Sequence, residues 1–408
     1  MLMVSLIFSP FLLTVSMLGL LVLGLTKWDS NNFKQTIGFN KTPFTRLTQY
    51  KSYASFGVLF LYFFIVLFSA WQTDGDWHYW LERIRIKLPF IALPIAFLGL
   101  PRFDDRAVRG LLYFLLIFMS LVSVGVGINY GLHFDEINTR ISMGKPMTVP
   151  RNHIRFSILM SVAIIGGIYL IVGQYFYKKK AEKIGIKGLT IFLFLFIHLL
   201  SVKTGIVCLY VSLGVMSLRY VYISRRYLVG GLMILGLGSL PVIAFLTIPS
   251  FQQKILYMHH DLTQYVEGRG AIYADAGRLT SLKVGWEIFA ASPVFGVGVG
   301  NFRSVVNQKY DKKYPNYVEP LMPHSQFMYV LAGMGLFGFS IFLLALFFPL
   351  FYKKTYQNFF FLGFYCLMLT AFILEHTIEN AVGVATFTFF LLLLLNHLLL
   401  PQKSNPVP

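Results

Sequence analysis

The sequence predicts an all-α, polytopic membrane helix bundle of about 11–12 spans, with one long, partly helical loop on its outer face. Three observations predict it. Of 408 residues, 56% are hydrophobic and 13% charged, and mean hydropathy is +0.65, whereas a soluble domain is about a quarter charged. Several apolar runs reach the roughly 20 residues that cross about 30 Å of hydrocarbon. The runs are continuously apolar rather than alternating, which excludes a β-barrel. The 41 Phe and 23 Tyr suit lipid-facing and interfacial surfaces.

Taken in order, the candidate spans lie near 3–25, 53–71, 86–100, 108–128, 156–176, 187–201, 203–222, 227–248, 325–350, 358–376 and 381–400. Pro10 allows the first to be two short helices, and Pro89 and Pro94 make 86–100 short and kinked or re-entrant. The first 25 residues lack a basic leading region and a small-residue cleavage site, and so read as a retained membrane segment. The chain divides into N-terminal spans (1–248), a long outer loop (249–324), C-terminal spans (325–400) and a disordered tail (401–408).

The net charge is +18. On a soluble protein that would suggest nucleic acid; here it follows loop order, and nucleic acid is not expected as a partner. Basic residues fill every second loop: Lys27 to Lys51, Arg102 to Arg109, Lys178 to Lys187, Arg219 to Arg226, and Lys353 with Lys354. These loops share one side, and by the positive-inside rule that side is cytoplasmic. The opposite face then holds 72–85, 129–155, the turn at 201–204, the long loop and the turn at 377–380. Cys208 and Cys366 both fall within spans, so neither a disulfide framework nor a thiolate metal site is expected.

The long loop covers about 75 residues, a length that is either functional or disordered. Trp286, Ile288, Phe289 and Phe295 argue for order. Helix formers fill 278–291, with Leu279, Leu282, Trp286 and Phe289 at helical spacing and a stop at Ser292-Pro293. The glycines at 296, 298 and 300 make a tight connection. No strand precedes Gly-Val-Gly-Val-Gly-Asn and no acidic residue follows at the right distance, so it is not a nucleotide loop.

Several outer-face residues could carry chemistry. His324 is either a satisfied interfacial histidine or a base able to take a hydroxyl proton near neutral pH. Arg278 either pairs with Asp275 on a helix surface or offers a fork of donors to phosphate. Lys203, between two apolar runs, marks a functional site by default or simply a turn. Arg151, His153 and Arg155 either extend a phosphate site or are ordinary interfacial cations. Glu375, His376 and Glu379 cluster where carboxylates must be paired or wet. They could orient a histidine or neutralise Lys203; a metal site is poorly supplied with further ligands.

Arg278 with Trp286, then Pro293-Val294-Phe295-Gly296-Val297-Gly298-Val299-Gly300-Asn301-Phe302, then Pro323-His324-Ser325 with Tyr329, Gly333 and Gly335-Leu336-Phe337-Gly338, together resemble the O-antigen ligase and polymerase superfamily. The resemblance covers about 187–350, and the N-terminal third only by hydropathy. It implies a membrane glycosyltransferase using a glycan on undecaprenyl diphosphate, with outer-facing arginines on the diphosphate and the loop histidine acting on the acceptor. Arg278 and His324 match those positions. Lys203 stands where the family has a second arginine, Ser325 where Asn commonly follows the histidine, and Glu375 where some members carry an acid.

The resemblance further implies an inverting, metal-independent transfer without a cofactor at the periplasmic face of the bacterial inner membrane. The acceptor is lipid A-core for a ligase, a second lipid-linked repeat for a polymerase, or a protein hydroxyl for an O-oligosaccharyltransferase; the single outer loop leans towards ligase. A lipid or glycan transporter, the rival class, would place charges near the bilayer midplane and show repeated halves, and neither is visible in the spans. The expected catalytic set is His324, Arg278 and Lys203, with Arg151, Arg155 and Glu375 completing substrate binding.

Overall fold

Within hydrocarbon the backbone can satisfy its polar groups only internally, so continuous apolar runs fold as helices. The computed structural model describes residues 1–31, 34–173, 179–268, 274–315, 317 and 319–401. The tail expected at 401–408 lies outside them apart from Pro401. In chain order the helices are α1 (Leu2–Phe8), α2 (Pro10–Leu25), α3 (Thr42–Thr48), α4 (Tyr50–Phe68), α5 (Trp77–Lys87), α6 (Pro89–Gly99), α7 (Asp105–Leu132), α8 (Phe134–Ser142) and α9 (His153–Val172). They continue as α10 (Lys180–Leu200), α11 (Lys203–Ser224), α12 (Tyr227–Thr247), α13 (Pro249–Val266), α14 (Ala274–Ala291), α15 (Phe302–Lys313), α16 (Gln326–Phe351), α17 (Phe359–Leu374) and α18 (Ala381–Leu399). One antiparallel hairpin, Thr26–Asn31 with Lys34–Phe39, interrupts this all-α, multi-pass membrane bundle.

Eight helices among the described residues are long and apolar enough to cross a bilayer: α4, α7, α9, α10, α11, α12, α16 and α18; α2 and α17 are shorter apolar helices. The expected run 86–100 is broken near its start, and α6 carries the chain from the end where Lys87 meets Glu379 to the end where Leu98 O meets Arg46. Pro89 starts α6 anew directly after α5, at Leu88, and α6 has 11 residues. At the N-terminus the chain turns at Ser9, whose hydroxyl caps α2, so 3–25 is indeed two helices. α18 forms the centre, buried from Val382 to His397. α12 is the periphery, with 11% of its apolar window buried. The long loop is mostly helical: α13, α14 and α15 fill it, and α14 begins four residues before the expected 278.

The two ends of the bundle differ in chemistry. At one end the basic loops meet each other: Arg46 Nη1 donates to Leu98 O (2.5 Å), Arg102 Nε to His397 O (2.9 Å), Arg219 Nη1 to Tyr356 O (2.5 Å) and Lys353 Nζ to Ser52 O (3.3 Å). At the other end the remaining loops meet. Asn301 bonds Gln72 O (2.5 Å), Arg83 bonds Glu379 O (2.8 Å) and Arg155 bonds Asn380 Oδ1 (2.9 Å).

The glycine run of the long loop is built into α16. Gly335 has φ +61 and ψ −169, which breaks the helix there. The Leu336 and Phe337 N–H groups, which would bond Ala332 and Gly333 four residues back, instead donate to Pro293 O (2.8 Å) and Val294 O (3.0 Å). The freed carbonyls of Ala332 and Gly333 accept from Val297 N (3.4 Å) and Gly298 N (2.9 Å). Loop and helix thus exchange two bonds for four, and the groups freed by the break find new partners. Such contact needs backbone against backbone: a Cβ on Gly335 would lie 2.4 Å from Val294 C and O.

Gly335→Ala should therefore cost about 1–3 kcal/mol for the backbone region alone and more for the collision. Thermal unfolding in detergent should show a clear drop in Tm, while Ser340→Ala, exposed on the same helix, should leave it unchanged. Equal Tm values for both variants would show the exchange to be dispensable.

Candidate active site

Four connections bring helix N-termini to one cavity. Between α10 and α11, Ser201 takes a left-handed conformation (φ 56) and its hydroxyl bonds His198 O (2.9 Å). Gly205 lets α11 lie against α9, since a Cβ there would fall 2.4 Å from Ser157 Cβ. Lys203 is thus the first residue of α11, beside the start of α9 at His153. The N-terminus of α14 is capped from another helix. Buried Asp261 of α13 accepts from Asp275 N (2.7 Å) and Ala276 N (3.0 Å). His324 immediately precedes α16, and its N–H donates to Ser281 Oγ of α14 (3.1 Å).

Asp275, fixed by its cap, forms a short ion pair with Lys203. Arg278, one turn further along α14, reaches the end of α17 instead, where Nη2 lies 2.8 Å from Glu375 Oε1. The second carboxylate oxygen lies 3.1 Å from His324 Nδ1, and Thr204 Oγ1 donates to the first at 3.3 Å. Of the alternatives the sequence left open, Glu375 contacts a histidine rather than Lys203, and Asp275 pairs with Lys203 rather than Arg278. The reason is reach: Asp275 faces the start of α11, and Arg278 has the longer side chain to cross to α17.

The Glu375 side chain is 8% exposed. Burial raises its pKa, but the His324 hydrogen bond and the Arg278 charge outweigh this and hold it below the ordinary carboxylate value. It is a carboxylate and accepts only, so the bonded Nδ1 of a neutral His324 carries the proton, leaving Nε2 as the basic nitrogen. The His376 ring stands 5.1 Å from that of His324 and stacks on Tyr329 at 6.1 Å. Burial first, and then the nearby His324, push its pKa down to about 4, so it is neutral at pH 7.

Lys203, Arg278 and His324 line a single cavity of about 360 Å³, together with His153 and Lys254. Lys254 of α13 donates to Gly144 O (2.9 Å) and lies 5.4 Å from the Tyr257 ring centre. Burial, and then the Lys203 charge, lower its pKa to about 8. Arg151 and Arg155 are not in this cavity. They border a separate one of about 20 Å³ with Leu6 and Ile7 of α1, where Arg155 is held by Asn380. The ligand atoms of His324, Glu375 and His376 lie within 4.8 Å of one another. A metal ion there would stand beside the Arg278 guanidinium, so the cluster suits hydrogen bonding better than cation binding.

A second charged group lies next to the first. Glu379 Oε1 accepts from Lys87 Nζ (2.7 Å), Gln326 Nε2 (2.7 Å) and Tyr62 Oη (3.3 Å), and Arg83 Nη1 donates to Glu379 O (2.8 Å). Sequence reasoning missed Arg83, Lys87, Asp261 and Lys254. One signal was available: a carboxylate at 379 between apolar runs requires a cation, and α5 carries the nearest unassigned ones.

Because the Glu375 pKa is lowered on folding, its contribution to stability is present above the ordinary carboxylate pKa and lost as pH falls through the folded value. Glu375→Gln should cost about 2 kcal/mol at pH 7. The Tm gap between parent and variant should narrow steadily as pH drops below about 4.3. A gap independent of pH would deny Glu375 its charged role.

No curated protein matches the chain. A family model described as O-antigen ligase matches residues 188–343, a stretch that runs from α10 past the break in α16. It contains Lys203, Arg278, His324 and the whole backbone exchange, and excludes Arg151, Arg155 and Glu375. Over this stretch the chain is similar to the O-antigen ligase family.

Proposed function

We propose that the protein transfers a glycan from undecaprenyl diphosphate to an acceptor hydroxyl at the periplasmic face of the inner membrane, with lipid A-core as acceptor. The observation that carries this reading is the convergence of Lys203, Arg278 and His324 on one cavity, with Glu375 linking the last two. The end of the bundle opposite the basic loops is then the periplasmic end.

The geometry supports the following roles. The His324 Nε2 takes the proton of the acceptor hydroxyl as its oxygen attacks the anomeric carbon. The bond from that carbon to the diphosphate breaks, and the electron pair leaves with the diphosphate. Attack opposite the leaving group inverts the anomeric centre. A diphosphate is already a good leaving group, so Lys203 and Arg278 stabilise the developing charge without a separate acid or a metal. Glu375 fixes the His324 tautomer and favours the imidazolium that forms. Arg151 and Arg155, in their own cavity, stand outside this scheme unless the glycan extends to them.

The test is transfer in vitro by purified protein, with a lipid-diphosphate glycan, lipid A-core and no nucleotide. Arg278→Ala and His324→Ala should each lower kcat by about 100-fold or more, with folding retained. Lys203→Arg should stay active, since arginine keeps the charge and the Asp275 pair, while Lys203→Glu should fail. Parent-level transfer by Arg278→Ala would sink the reading.

The orientation has its own test. Lys312→Cys on exposed α15 should react with an impermeant maleimide added from the periplasmic side, and Lys354→Cys should not. The reverse pattern would put the site on the cytoplasmic face.

A further inference from the structure

The cations chosen from the sequence are already matched in the resting cavity. Lys203 is paired with Asp275, and Arg278 with Glu375. A diphosphate arriving at either competes with a carboxylate in place. Two other lysines line the cavity, Lys145 and Lys254. Lys145 is exposed and hydrated. Lys254 is half-buried and, among the described residues, forms no direct ion pair, though the Asp275 and Asp261 carboxylates act on it from further away. Its one hydrogen-bond acceptor there is the Gly144 carbonyl, and an ammonium carries three donors.

A half-buried ammonium with no carboxylate in direct contact is destabilising where it stands. Lys203 and Arg278 add to the cost, Asp275 and Asp261 relieve part of it, and the net effect on the ammonium is unfavourable. The position is nonetheless rigid. The Gly144 carbonyl holds Nζ from one side and the Tyr257 ring lies beneath it, while a Cβ on Gly144 would strike that ring at 2.4 Å. An anion with several oxygens is the group that fits this vacancy of charge.

We infer that Lys254 is a further substrate-binding residue and makes the first contact with the donor diphosphate, before Lys203 and Arg278 are drawn from their carboxylates. The inference rests on the reading of the cavity as a diphosphate site. In the resulting order, the anion is captured on the unmatched lysine. It then exchanges with Asp275 and Glu375 for the two matched cations. Glu375 keeps its bond to His324 throughout, so capture does not disturb the base.

The experiment is calorimetric titration of the full chain in detergent with inorganic pyrophosphate and with farnesyl diphosphate. Lys254→Gln is the main variant, because its amide still donates to Gly144 O; Tm and gel-filtration profile check folding. The Gln variant should bind both probes about tenfold or more weakly, as loss of a charge-assisted contact implies, and its affinity should depend less steeply on salt. Lys254→Arg should restore both. In the transfer assay the Gln variant should raise the KM for donor far more than it lowers kcat.

Parent-level affinity in Lys254→Gln would overturn the assignment and leave the transferase reading standing. Equal losses in the Gln and Arg variants, with an unchanged salt slope, would reduce Lys254 to a packing role and also overturn it. A parent protein that binds neither probe and transfers no glycan would remove both the assignment and the reading beneath it.

Discussion

Between α17 and α18 lie six residues, 375–380, on which the site end of the bundle depends. Glu375 joins Arg278 to His324, Glu379 receives Lys87 and Gln326, and Asn380 holds Arg155. Helices α5, α9, α14 and α16 are therefore tied to one short connection by charged or strongly polar groups. The energetic reason is desolvation. A carboxylate this deep is tolerable only when paired, and removing one partner leaves the other buried and uncompensated. The turn thus couples positions far apart in sequence: a change in α5 is felt by a group adjoining Glu375 and His376.

The same constraint explains why the site is cationic yet stable. Helices α9, α11, α14 and α16 all begin at this end. Their N-termini carry unsatisfied N–H groups and the positive end of the helix dipole. Lys203 at the start of α11 is unfavourable in that field by itself, and Asp275 at the start of α14 relieves both. Asp261 relieves α14 again from a neighbouring helix. The resting cavity holds its positive potential in check with internal carboxylates.

Much of this was legible in the sequence, for identifiable reasons. Apolar run length gave the bundle, and loop charge gave its two ends. The likeness around Arg278, 293–302 and His324 located the cavity wall. What escaped was pairing across the bundle, because it depends on side-chain reach rather than on spacing. Asp275 and Arg278 sit at helical spacing and read as partners, yet each crosses to a different helix. Lys87 was lost because 72–85 read as a loop and 86–100 as a span, whereas one helix, α5, carries Trp77 to Lys87 into the bundle. Arg151 and Arg155 lie at the same end but border a different cavity, shared with Leu6 and Ile7 of α1 and Val382 and Thr386 of α18.

The exchange of bonds between the glycine run and α16 bears on what inheritance can preserve. It is made of main chain, so it tolerates almost no drift at Gly296, Gly298 and Gly335 and is indifferent to most side chains around it. The groups proposed to act on substrate are side chains on independent helices, free to be exchanged one at a time. Descendants of one ancestor can therefore keep the same glycine signature while diverging in the sugar, the acceptor or even the occurrence of chemistry.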